Sequence, residues 1–214
     1  MNTLKSLPLC QETIDYVLSQ PVQTGKTMLY GSSFFTRWGY DRARQQLTEA
    51  TNGELDVLNH GFGGATIDQL LYMYPQLVAP YNPKEIVIRS GYNDINEGLT
   101  VDQSIFLLDR LITWLQKDFP GIRIYLLPVF DAKIMDESRH KAFSAYNQRM
   151  AELAKETQNV EMFDINEFFY NTPEDIGNLS KLRDVFVNDG LHLTDEAYVE
   201  MAKFFGPRLL AVMK

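Results

Sequence analysis

The sequence has one cysteine, Cys10, in 214 residues, so neither a disulfide framework nor a Cys-rich zinc site can be built from it. Cys10 falls outside the periodic stretches and reads as an incidental thiol. Histidine is nearly as scarce. His60, His140 and His192 are far apart, and none has metal-ligand spacing. No apolar run approaches the ~18 residues of a membrane span. The N-terminal stretch is broken by Lys5, Gln11, Glu12 and Asp15, which leaves no signal-peptide core. Basic charge is short as well: 20 Lys and Arg stand against 28 Asp and Glu, a formal net charge of −8. With no Lys/Arg block, a general affinity for nucleic acid or anionic lipid is excluded. The glycine-rich stretch lacks GxGxxG spacing, so no dinucleotide site is indicated. The expectation is a cytoplasmic enzyme or binding protein for a small molecule, with no nucleic acid, membrane or cofactor. Oligomeric state stays open.

What is present is ordinary for a globular protein: 45% hydrophobic and 22% charged residues. The length suits one domain over residues 1–214, with 1–26 as a lead-in that carries a short helix near Gln11–Leu18. Five apolar runs read as strands: Lys26–Tyr30, Leu55–Leu58, Glu85–Arg89, Ile122–Leu127 and Val160–Phe163. Between them lie amphipathic stretches at Phe34–Ala50, Thr66 to about Val78, Val101–Phe119 and Glu137–Glu156, and Thr194–Met213 closes the chain. Leu179–Val187 reads as loop with short helix. Connections this long do not make hairpins. They predict a single-domain three-layer α/β/α fold with a five-stranded parallel sheet, flavodoxin-like. In such sheets ligands bind outside the C-terminal strand ends.

Three of those ends carry unusual residues: Gly31-Ser32-Ser33, Asn59-His60-Gly61-Phe62-Gly63-Gly64 and Ser90-Gly91-Tyr92-Asn93-Asp94. A hydroxyl at a strand-to-helix turn faces free backbone N–H groups and the positive end of a helix. Taken alone, such a serine is more often a helix cap. With partners it can be a nucleophile, needing a base, a group that orients the base, and oxyanion donors. Gly63 and Gly64 offer unobstructed N–H groups, Asn93 an amide, and Ser33 its own N–H. Histidine is the base suited to neutral pH. His140 opens a surface helix and reads as solvated. His60 lies near the strand ends without an adjacent carboxylate. His192 follows Asp189 by three residues, so one tight loop can aim both side chains at the serine. Asn59 and Asp94 read as braces. Phe34, Phe62 and Tyr92 border the expected mouth and could equally be core.

Together these four blocks resemble the SGNH hydrolase family, the GDSL-type esterases and lipases. Gly31-Ser32-Ser33 matches the nucleophile block, with Ser32 where the family commonly has Asp. The resemblance implies that Ser33 is the nucleophile, Gly64 and Asn93 oxyanion donors, and Asp189 and His192 acid and base. It implies a serine esterase or acylhydrolase for a small or short-chain acyl ester, for example acetyl, with no cofactor. Segments 131–140 and 165–188 are expected to border the crevice. Their polar residues, among them Asp131, Lys133, Asp136, Asn171 and Asn178, lean toward a polar substrate over a long lipid chain. The alternatives are acyl transfer through the same acyl-enzyme, and a catalytically silent ligand-binding protein of this fold.

Overall fold

The computed structural model describes residues 7–214. Helix α1 (Leu7–Ser19) leads into β1 (Thr27–Gly31), α2 (Ser33–Trp38), α3 (Tyr40–Ala50), β2 (Val57–Asn59), α4 (Ile67–Leu77) and β3 (Glu85–Arg89). Then follow α5 (Tyr92–Asn96), α6 (Val101–Asp118), β4 (Arg123–Leu127), α7 (Glu137–Glu156), β5 (Val160–Met162) and α8 (Asp195–Met213). Single turns of tighter helix at Asn166–Phe169, Pro173–Asp175 and Leu179–Lys181 fill the long connection from β5 to α8.

All five strands are parallel, in the order β2-β1-β3-β4-β5. Every residue of β1 and β3 is buried, as their continuous apolar runs require in a sheet covered on both faces. Helices α3 and α8 pack together, while α4, α6 and α7 pack in series and α1 rests on α4. The strand order reverses between β1 and β3, so the connections leaving their C-termini diverge and open a crevice there. The two serines lie at the end of β1 and Asn93 just past β3.

The helix ends are set by local chemistry. Thr66 and Thr100 each form a capping box, with Gln69 and Gln103 respectively. Thr194 Oγ1 accepts from the Ala197 N–H at 3.1 Å and starts α8. Two expectations need correction. The stretch 34–50 is not one helix: it breaks at Gly39, whose φ of 82° and ψ of 148° suit only glycine. The Asn59 side chain holds the break, donating to the carbonyls of Phe35 at 2.7 Å and Gly39 at 3.0 Å. Cys10 is not outside the periodic elements. With Ile14 and Val17 it forms the buried face of α1, and its thiol donates to the Gly63 carbonyl.

Candidate active site

The turn from β1 into α2 separates the two serines. Ser32 is buried at the N-cap position, but its side chain makes no capping hydrogen bond. Ser33 is the first residue of α2, so its N–H has no carbonyl within its own helix to bond. Its Oγ lies 2.9 Å from Nε2 of His192.

His192 comes from the loop between β5 and α8, which local bonds hold rigid. Asp189 Oδ1 accepts the N–H groups of Leu191 and His192, each at 2.9 Å. Gly190 N–H donates to Val187 at 2.9 Å, Val187 N–H donates to His192 at 2.8 Å, and Phe186 bridges to Leu193. Asp189 Oδ2 is 2.6 Å from His192 Nδ1. Partial burial pushes the Asp189 carboxyl up, but the hydrogen bonds from the His192 ring and from the His192 and Leu191 N–H groups outweigh it and hold it at about 2. An ionised Asp189 can only accept, so Nδ1 carries the ring proton and Nε2 is left to accept from the Ser33 hydroxyl.

The glycine loop is tied to both neighbouring strand ends. On the β1 side, Phe62 N–H donates to the Gly31 carbonyl at 3.0 Å. On the β3 side, Asn93 Nδ2 donates to the Ala65 carbonyl at 2.9 Å, which leaves its second amide hydrogen available. Asp94 is buried and accepts the N–H groups of Ile67 at 2.8 Å and Gly91 at 3.0 Å. Burial outweighs those bonds and lifts its carboxyl to about 6. Asp94 thus braces the loops, as does Asn59, whose Oδ1 accepts the Gly61 N–H. Gly64 is exposed at a φ of 74°, and its N–H makes no hydrogen bond among the described residues. The hydroxyl, the imidazole and the carboxylate therefore stand in line, and the Gly64 and Asn93 loops are joined to each other beside the Ser33 turn.

A sequence-family model described as GDSL-like lipase/acylhydrolase matches residues 29–199. The chain belongs to the GDSL-like lipase/acylhydrolase family. No curated protein matches it in sequence. Among solved structures, a GDSL-like lipase from Bacteroides thetaiotaomicron is 18% identical, with a TM-score of 0.68 over 94% of this chain and 97% of that one. The acetyl xylan esterase AlAXEase is 20% identical, with a TM-score of 0.69 over 88% of this chain and 100% of that one. The psychrotrophic esterase EstA from Pseudoalteromonas sp. is 17% identical, with a TM-score of 0.64 over 88% and 96% of the two chains. At these identities the structural likeness establishes a shared fold.

Other residues of this GDSL-like chain fall differently from expectation. A narrow cavity of about 20 Å³ is lined by Ser32, Ser33, Phe34, Arg89, Tyr92, Phe130, Leu191, His192 and Tyr198. Phe34 and Tyr92 do border it, but Phe62 does not: it is buried in the core against Tyr30. None of Asp131, Lys133, Asp136, Asn171 and Asn178 lines it. Segment 131–140 instead braces the histidine loop, with Ile134 N–H on Gly190 O at 3.0 Å and Lys133 Nζ on Asp184 at 2.6 Å. His140 is not simply solvated, because its Nε2 lies 3.2 Å from Asp131 Oδ1. His60 takes no part: it is buried against Tyr40 and Tyr81, with Nδ1 2.6 Å from the Leu77 carbonyl. Arg89, Phe130, Leu191 and Tyr198 were not anticipated. The one available signal was Arg89, a charge that follows the apolar residues Ile86, Val87 and Ile88 at the end of a buried strand. A wider recess of about 620 Å³ lies along residues 97–107 and includes none of Ser33, Asp189 and His192. Size alone does not make it the reacting site, because it lacks a nucleophile and base in contact.

Proposed function

We propose that the protein is a serine esterase for small or short-chain acyl esters. Ser33 Oγ attacks the ester carbonyl while His192 Nε2 takes its proton. The ionised Asp189 keeps Nδ1 protonated and stabilises the imidazolium that forms. The tetrahedral oxyanion is held by the N–H groups of Ser33 and Gly64 and by Asn93 Nδ2, each contributing on the order of 3–4 kcal/mol in the transition state. His192 then returns the proton to the leaving alcohol. A water molecule, deprotonated by the same ring, hydrolyses the acyl-enzyme. Every proton is handled by His192, so the reaction needs no cofactor.

The observation that carries this reading is the alignment at His192: 2.9 Å from Nε2 to Ser33 Oγ and 2.6 Å from Nδ1 to Asp189 Oδ2. Membership of the acylhydrolase family supports it. A short acyl group is supported by the narrowness of the cavity, about 20 Å³, and by its aromatic walls, Phe34, Tyr92 and Phe130. The neighbouring acetyl xylan esterase is in keeping with acetyl. The test is reaction with a fluorophosphonate probe together with turnover of p-nitrophenyl acetate. Ser33→Ala is expected to abolish both. Labelling that persists in Ser33→Ala would refute the assignment.

A further inference from the structure

The Ser33 cavity also holds a cation that the ester chemistry does not use. Arg89 is the last residue of β3 and pairs in register with Gly31, just ahead of the serine turn. It lines the same cavity as Ser33 and His192 and is only 3% exposed. Nη1 donates to the Ser90 carbonyl at 3.1 Å, and the guanidinium lies 4.8 Å from the centre of the Phe130 ring. Nε is buried with no hydrogen-bond partner, and Nη2 makes no hydrogen bond among the described residues. Nε and Nη2 together form the side-on fork that matches a carboxylate.

No described Asp or Glu forms an ion pair with Arg89. Asp94, which acts on it across space, already has its two oxygens on the backbone N–H groups of Ile67 and Gly91. Arginine keeps its charge on burial. An isolated buried charge is strongly unfavourable, and an apolar side chain would fill the space against Phe130 more stably. The protein thus carries half of an ion pair beside its nucleophile.

We propose that the substrate brings the other half: a carboxylate a few bonds from the scissile carbonyl, seated on the free fork of Arg89 while Ser33 attacks. This rests on Ser33 being the nucleophile. Among the described residues, Arg89 is the only Lys or Arg lining the cavity, and the volume of about 20 Å³ leaves room for little more than the carboxylate group itself. The charge could sit on the acyl side or on the alcohol side, and matched esters distinguish them. Monoethyl succinate against ethyl isocaproate reads the acyl side. Acetylglycolate against isobutyl acetate reads the alcohol side. In each pair a carboxylate replaces an isopropyl group of the same shape.

The charged member of one pair is expected to show a kcat/KM about tenfold or more above its neutral partner, the scale of a charge-assisted hydrogen bond. Arg89→Met is expected to bring that ratio near one, and Arg89→Lys, which keeps the charge without the fork, to restore part of it. Ratios near one for both pairs, in wild-type protein that reacts with the fluorophosphonate, would overturn the Arg89 assignment and leave the esterase reading standing. If the probe does not react, the esterase reading fails instead. Calorimetric titration of Ser33→Ala protein with succinate then still reads the seat. Binding that weakens about tenfold on adding Arg89→Met supports it, and equal or absent binding overturns it.

Discussion

Asp189 does two jobs with one side chain. Oδ1 ties the backbone of its own loop and Oδ2 holds the His192 ring. Asp189→Asn keeps the size but puts an amide where a carboxylate was. The amide can accept at Nδ1, yet it no longer favours that tautomer or stabilises the imidazolium. In p-nitrophenyl acetate assays kcat is expected to fall on the order of 10⁴-fold, with KM changed only a few-fold. A loss carried mainly by KM would mean that Asp189 shapes the loop without serving the histidine. The pair was legible beforehand because Asp189 and His192 are three residues apart in one tight loop. The choice of Ser33 over Ser32 rested on matching a block, and coordinates were needed to put Oγ of Ser33 beside Nε2. Arg89 was hidden for a different reason. Whether a strand-end arginine reaches water or faces a cavity depends on Phe130, Leu191 and Tyr198, which come from other parts of the chain.

At the scale of elements, the break between α2 and α3 ends the short helix that the serine turn opens. A single glycine inside a helix costs only about 1 kcal/mol relative to alanine, so the helical spacing of Phe34, Trp38, Ala43 and Leu47 was compatible with one continuous helix. The break comes from outside the segment, where Asn59 takes the Phe35 and Gly39 carbonyls. Gly39→Ala must force a methyl group into a φ of 82° or shift the break, and is expected to cost about 1–3 kcal/mol. Urea unfolding reads this as a lower midpoint at unchanged slope. Gly63→Ala is the control: it has no positive φ and nothing within 4 Å of the added methyl, so its effect should stay within about 0.5 kcal/mol. Equal midpoints for the two variants would show that Gly39 is not strained. The other element boundaries were legible because their causes are local. Thr66, Thr100 and Thr194 start helices, and Pro120-Gly121 ends one, within a few residues of where the periodicity changes.

Across the whole molecule, the sheet buries ionisable groups whose protonation is linked to folding in opposite directions. His60 is held down to about 4 by burial, against the opposing effect of its bond to the Leu77 carbonyl. Asp94 is lifted to about 6 by burial. An unfolded histidine takes up its proton near 6.5, so the stability that neutral His60 contributes is complete above that pH and is lost as the pH falls toward 4. Asp94 has the reverse sign. Its folded value lies above the unfolded 3.8, so its contribution is complete below 3.8 and is lost as the pH rises through 6. Between about pH 4 and 6 the two slopes oppose each other, and the intact protein hides both. His60→Gln removes one of them. Glutamine can still donate to Leu77 but does not titrate, so the variant keeps the Asp94 slope alone. Its stability deficit relative to wild type should therefore narrow by roughly 2–3 kcal/mol between pH 7 and about pH 4.5, because only the wild type loses the His60 contribution. Urea unfolding of both proteins at the two pH values measures this. Deficits that are equal at both would place the His60 proton near 6.5 in the folded state as well, which its complete burial between Tyr40 and Tyr81 opposes.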